Sequence, residues 1–106
     1  NRMRSTTGLT SNDARAVTPV LHANYPNPFG GNGAAVTTLS FTLPRAGGAR
    51  LEVRDMLGRL VALPAAGSYA AGTHRLRFDA RALAPGSYLL LLRAADHLHT
   101  RLLLIE

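Results

Sequence analysis

Val36-Thr37-Thr38-Leu39-Ser40-Phe41-Thr42-Leu43 is the stretch that decides the fold. Leu39, Phe41 and Leu43 alternate with Thr38, Ser40 and Thr42, the period of two of a strand with one face in a core and the other in water. Pro44 ends it, because proline has no N–H to give to a ladder. Toward the C-terminus the same period returns. Gly47-Gly48 reads as a turn, and Ala49 to Asp55 places Ala49, Leu51 and Val53 inward, with Arg50, Glu52 and Arg54 outward. Asp55-Met56-Leu57-Gly58 reads as a tight turn in which Asp55 accepts from backbone two residues on and Gly58 takes up a positive φ. Arg59 to Leu63 follows as a short strand closed by Pro64, and residues 65–72 read as a glycine- and alanine-rich loop.

The second half repeats the pattern. Residues 73–79 put Leu76 and Phe78 inward. Residues 79–86 read as a connection with room for one helical turn capped by Asp79, from which Leu83 reaches the bottom of the core. Tyr88-Leu89-Leu90-Leu91-Leu92 is apolar on both faces. So short a run, bounded by Pro85-Gly86 and the Ala95-Asp96-His97 turn, fits a central strand covered on both sides. Residues 98–105 form the last strand. Six or seven short strands at even spacing, with turn signals between them and no convincing helix, predict an all-β fold: an immunoglobulin-like antiparallel β-sandwich. The chain has no cysteine and no tryptophan, so the disulfide-and-tryptophan core of antibody domains is excluded and only the architecture is claimed.

Upstream of the deciding strand stands Asn24-Tyr25-Pro26-Asn27-Pro28-Phe29. Pro26 and Pro28 fix φ and push the residues before them toward extended geometry, so the segment is neither helical nor a central strand. A stiff arm with an aromatic at each end is expected to clamp the sandwich, with Tyr25 and Phe29 packed against it. Gly30-Gly31-Asn32-Gly33 reads as a flexible loop. Residues 1–19, polar and without apolar period, read as a linker, and residues 20–106 as the folded domain. The start lacks an apolar signal region and an initiator methionine, and a fragment of a longer polypeptide is expected.

At 106 residues the chain makes one domain with one modest core. Its charge is +6, and all twelve basic residues are arginine. They are scattered and in places alternate with apolar residues, as in Arg75-Leu76-Arg77-Phe78, which is the pattern of a solvated sheet face. No apolar run is long enough for a transmembrane helix.

Catalytic patterns are wanting. His97 and His99 share a strand face, but only Asp96 stands near them as a further metal ligand. Glu52 and Asp55 are the closest acids, one outward on a strand and the other in a turn, so paired acid–base work is not expected. No serine sits in a nucleophile elbow and no glycine-rich segment opens a helix. No enzyme, cofactor or metal site is expected. A carbohydrate platform would need exposed coplanar aromatics, for which only Tyr25, Phe29 and Tyr69 are candidates. Nucleic-acid stacking meets the same shortage, and no nucleic-acid partner is expected.

The elements stand in a telling order: Leu21-His22-Ala23-Asn24-Tyr25-Pro26-Asn27-Pro28-Phe29, then Thr38 to Pro44, then Leu51-Glu52-Val53-Arg54-Asp55-Met56-Leu57-Gly58-Arg59. Ala71-Gly72-Thr73-His74, Phe78-Asp79, Leu83-Ala84-Pro85-Gly86-Ser87-Tyr88 and a terminal hydrophobic strand follow. In this order, over residues 20–106, the chain closely resembles the type A C-terminal sorting domain of the type IX secretion system. The residues that carry the resemblance as structural motif are Tyr25, Pro26, Asn27, Pro28, Phe29, Asp55, Gly58, Arg59, Gly86 and Tyr88.

The resemblance implies a non-catalytic signal domain at the end of a larger cargo protein in a Bacteroidetes-type bacterium. The cargo passes through the periplasm, crosses the outer-membrane translocon with its shuttle protein, and is secreted or held at the cell surface. A sortase-like peptidase commonly removes the domain, with cleavage in the linker joining it to the N-terminal cargo domain. Recognition is placed by the resemblance in the terminal segment, here Thr100, Arg101, Leu102, Leu103, Leu104, Ile105 and Glu106. Family members often end on a basic residue, whereas this chain ends in Glu106. An edge strand exposes unpaired backbone groups, so the terminal strand is expected either to dock by β-augmentation or to be held in the sandwich until docking. The alternatives are an immunoglobulin-like accessory module, such as those of flagellar hook-capping proteins, or a carbohydrate-binding module of a multidomain secreted enzyme.

Overall fold

A computed structural model describes residues 18–30 and 35–106. The linker expected over residues 1–19 and the loop expected over 30–33 therefore lie outside the described residues, apart from 18, 19 and 30. Among the described residues seven strands follow one another: β1 (Val20–Leu21), β2 (Val36–Leu43), β3 (Gly47–Asp55), β4 (Leu60–Tyr69), β5 (Gly72–Asp79), β6 (Gly86–Ala94) and β7 (His97–Ile105). They form two antiparallel sheets, one ordered β1-β2-β5 and the other β4-β3-β6-β7. The chain crosses between sheets after β2, after β4 and after β5, which makes the sandwich expected from the alternation.

The core is where the period of two placed it. Leu39, Phe41 and Leu43 from β2 face Leu51 and Val53 from β3, Leu90 and Leu92 from β6, and Leu103 from β7, all buried. β6 lies between β3 and β7 and is covered on both faces at its centre, which is why its sequence shows no polar alternation there. At its start the Tyr88 hydroxyl donates to the carbonyl of Ala84 at 2.5 Å. This is the tyrosine-corner arrangement of immunoglobulin-like sandwiches, in which a buried ring anchors the preceding connection.

Three local expectations are corrected. β4 does not stop at Pro64; it runs on to Tyr69, so residues 65–69 are strand and not loop. The reason is position: β4 is an edge strand, and its pairing steps from Leu51↔Ala65 to Val53↔Ala62, leaving an extra β4 residue between them. A proline is tolerated at such a bulge on an edge because no ladder bond is asked of it. Gly47 and Gly48 belong to β3, and the turn lies before them. The connection after β5 forms a turn with no helix: Asp79 Oδ1 accepts from the Arg81 N–H at 3.0 Å, and Leu83 N–H donates to Ala80 O at 2.9 Å. Leu83 does pack against the core as expected.

The β6–β7 hairpin turns on Ala95 and Asp96, both at positive φ (50° and 64°). Two consecutive left-handed residues are what a two-residue hairpin needs to match the strand twist. The Asp55 turn also forms as read. Asp55 Oδ1 accepts from Leu57 and Arg59 N–H, each at 2.9 Å, Oδ2 pairs with Arg59 Nε at 2.7 Å, and Gly58 has φ +88°. The Arg59 N–H, against a smaller opposing effect of burial, holds the Asp55 carboxyl below the usual carboxylate range.

Candidate functional site

The proline arm closes the open side of the sandwich by passing from one sheet to the other. At its start Tyr25 pairs with Thr38 of β2, its N–H donating to Thr38 O at 3.1 Å and its carbonyl accepting from Thr38 N–H at 2.9 Å. At its end Phe29 bridges in parallel to Ile105 of β7, its N–H donating to Leu104 O at 3.1 Å and its carbonyl accepting from Glu106 N–H at 2.7 Å. Between them both X–Pro peptide bonds are cis, and no backbone N–H is available from Pro26 or Pro28. The Asn27 side chain fills the gap. Its amide nitrogen donates to Leu102 O at 3.1 Å and its oxygen accepts from Leu104 N–H at 2.9 Å, as a paired strand residue would.

Buried polar contacts fix the arm where it leaves β2. Asn24, 4% exposed, donates to Pro26 O and to Thr37 Oγ1, both at 3.0 Å, and Thr37 donates to Pro26 O at 2.7 Å. Gly30 ends the arm at φ +97°, and a Cβ there would stand 2.9 Å from the carbonyl of Glu106. Only glycine suits both the backbone and the close approach. Farther back along the same seam, Arg101 Nε donates to Leu21 O at 2.8 Å.

The two aromatics of the arm part company. Phe29 is 2% exposed and sits in the core, as expected, whereas Tyr25 is 81% exposed and packs against nothing comparable. The correction has a simple cause: Tyr25 is held by its backbone bridge, and its side chain points away from the sheet it pairs with. Tyr69 ends β4 and is not a loop aromatic; its ring meets Phe41 edge-on at 5.3 Å and His74 at 5.1 Å. A coplanar pair of exposed aromatics is therefore not formed by Tyr25 and Tyr69.

Of the terminal residues, Leu103 and Ile105 are buried, Leu104 is half-buried, and Arg101, Leu102 and Glu106 are exposed. The structure thus brings the arm residues Asn27 and Phe29 together with Leu102, Leu104, Ile105 and Glu106. It keeps the Asp55–Arg59 turn apart as a separate element between β3 and β4.

One cluster shows only in the structure. Glu52 faces outward on β3 as expected, yet it is 2% exposed because arginine side chains close over it. Arg54 Nε donates at 2.9 Å, Arg50 Nε bonds the other carboxylate oxygen, and Arg93 Nε stands at 3.4 Å. Burial pushes the Glu52 carboxyl up, but the hydrogen bonds from Arg50 and Arg54 and the charges of Arg54 and Arg93 outweigh it and hold it below the usual range. Arg50 and Arg93 are direct cross-strand partners, and like charges so placed repel unless an anion bridges them. Alternation could locate these residues on one face, but only the register of β3 on β6 brings Arg93 to Glu52.

Elsewhere the chemistry is sparse. His97 and His99 stack with ring centroids 6.2 Å apart. Among the described residues no group of three or more His, Cys, Asp or Glu is placed to hold a metal ion. An open hollow of about 460 Å³ beside the β6–β7 turn is lined by Arg45 and His97, with no carboxylate among the described residues of its lining.

No protein-family model matches the chain, and no curated protein matches it. Among solved structures it is similar to PorZ, described as an essential bacterial surface component of the type IX secretion system of Porphyromonas gingivalis, with a TM-score of 0.58 and 17% identity. The likeness is one of fold. It covers 81% of this chain but only 11% of PorZ, so the chain spans a small part of that protein's length.

Proposed function

We propose that residues 20–106 are a non-catalytic sorting domain that directs a cargo protein across the outer membrane through the type IX secretion system. The observation that carries the reading is the seating of the Tyr25-Pro26-Asn27-Pro28-Phe29 arm on the edge of the terminal strand. It joins the two ends of the motif order that resembles the sorting domains. The fold likeness to part of PorZ supports the same direction.

In this reading the terminal segment, Arg101 to Glu106, is the part the translocon and its shuttle protein recognise. The arm keeps its backbone edge paired while the cargo is in the periplasm. Of the two expectations for β7, the second fits: the strand is held in the sandwich, and a partner adding a strand at Leu102 to Glu106 has first to displace Asn27 and Phe29. A sortase-like peptidase acting upstream of residue 20 would then part the domain from its cargo, leaving the cargo secreted or at the surface.

Deleting residues 102–106 from the parent protein tests this. Cargo retained in the periplasm is the expected result, with circular dichroism of the truncated domain recorded to separate lost recognition from lost fold. Unchanged export would overturn the reading.

A further inference from the structure

In an antiparallel sandwich the outward face is normally polar. The outward face of β6 and β7 is not. Leu90 and Leu92 point into the core, so Leu89 and Leu91 point out, and the register places Leu102 opposite Leu89, Thr100 opposite Leu91, Leu98 opposite Arg93 and Leu104 opposite Ser87. Leu89, Leu91, Leu98, Leu102 and Leu104 therefore share one face, on which Leu98 and Leu102 are 51% and 48% exposed, Leu89 and Leu104 are half-buried, and Leu91 lies buried beneath its neighbours. Beside this stripe lie Arg50, Arg54 and Arg93, with Glu52 buried among them as the one carboxylate they share among the described residues. Three guanidiniums around one carboxylate leave surplus positive charge, half of it open to water at Arg50 and Arg93, which are 45% and 49% exposed.

We infer that this face docks a protein element that presents apolar side chains flanked by carboxylates. The charge decides among the occupants. A second copy packed face to face about a two-fold axis presents only the same arginines and a Glu52 that is already enclosed by them, so it has no carboxylate to offer the surplus guanidiniums. An anionic membrane would suit the arginines, but the face carries no Trp or Tyr to sit at the headgroup level, and its leucines lie along strands and not on a protruding loop. An acidic apolar protein surface satisfies both halves: leucines on leucines, and carboxylates on guanidiniums that still have donors free. This surface stands on its own geometry and does not rest on the sorting reading.

The test uses the full chain, isotope-labelled for NMR, and two synthetic twelve-residue peptides, one alternating Leu with Glu and the other Leu with Lys. The Leu/Glu peptide is expected to shift the signals of Leu89, Leu98 and Leu102. It should bind at least about tenfold more tightly than the Leu/Lys peptide and lose that advantage in Leu98→Glu and Arg93→Gln, both at half-exposed sites and neither adding a carboxylate beside Glu52. Equal binding of the two peptides, no binding of either, or shifts confined to another face would overturn the inference. So would sedimentation with phosphatidylglycerol vesicles that Leu98→Glu abolishes, which would make the occupant a membrane, or a dimer by analytical ultracentrifugation that the same variant dissolves.

Discussion

Asn27 grips Leu104 and Leu102 as a strand would. The side-chain oxygen accepts from the Leu104 N–H at 2.9 Å while the amide donates to Leu102 O at 3.1 Å, two residues back along the same edge. A side chain thus does the work of a backbone that two prolines have deprived of donors. The consequence is that the terminal strand has no open edge over its last residues, although it is the outermost strand of its sheet. Edge strands are templates for unwanted pairing, and covering them is one of the few remedies available to a sandwich.

Asn27→Ala removes both bonds and leaves the rest of the arm in place. The expected loss is about 1 kcal/mol, since both groups regain water. Hydrogen exchange gives the sharper readout: the Leu104 amide should exchange faster by about tenfold, while amides in β3 and β6 keep their protection. Uniform change across the sheet would mean that Asn27 contributes to global stability only.

Phe29 and Tyr25 should behave as opposites. Phe29→Ala empties a core position and is expected to cost about 3 kcal/mol in urea denaturation. Tyr25→Ala, at a position 81% exposed whose bonds to Thr38 come from the backbone, should stay within about 0.5 kcal/mol of the parent. A large loss at Tyr25 would show that its ring has a partner on the sandwich.

Gly30→Ala tests the close approach at the chain end. The substitution meets a backbone oxygen of Glu106 at 2.9 Å and an unfavourable φ of +97°, and about 1–3 kcal/mol of destabilisation follows. Faster exchange of the Glu106 amide, which donates to Phe29 O, should accompany it. If Gly30→Ala is neutral, the arm is not seated on β7 as described.

Acid should loosen the Glu52 cluster. The Glu52 carboxyl is depressed below its ordinary value of 4.5 in the folded chain, burial raising it and the arginines lowering it further. A depressed folded value means that the stabilisation is complete above the unfolded value and fades as pH falls through the folded one. Stability should therefore hold steady down to about pH 5 and drop below it. Glu52→Gln should lower stability at neutral pH by about 2 kcal/mol, less than a fully buried pair would lose because its arginines stay partly hydrated. The same variant should blunt the acid slope, and a titration identical to the parent's would remove Glu52 from the account.

Much of the fold was legible because most strands obey a period of two: Leu39, Phe41 and Leu43, or Leu51 and Val53, can be assigned inward from spacing alone. Pro64 misled for a physical reason, since a proline ends a central strand but is accommodated at an edge bulge, and edge position belongs to sheet order and not to local sequence. Glu52 misled in the same way: alternation gives the side a residue faces, while its burial depends on Arg50 and Arg93, which register alone brings over it. The arm was recognisable as stiff and edge-directed, and Phe29 as its anchor. That Asn27 is the residue pairing with β7 could not be read, because the contact spans 77 positions of chain. Tyr25 looked equivalent to Phe29 by composition, and only the backbone bridge to Thr38 shows that its ring turns away.

The most direct test of the sorting role is a transplant. Residues 18–106 are fused behind a periplasm-targeted fluorescent reporter in a bacterium that has a type IX secretion system and in a strain lacking its outer-membrane translocon, and reporter is measured in periplasm, surface and medium. Surface or medium reporter is expected in the first strain and periplasmic reporter in the second. Reporter that remains periplasmic in both strains, or leaves both equally, would contradict the sorting role.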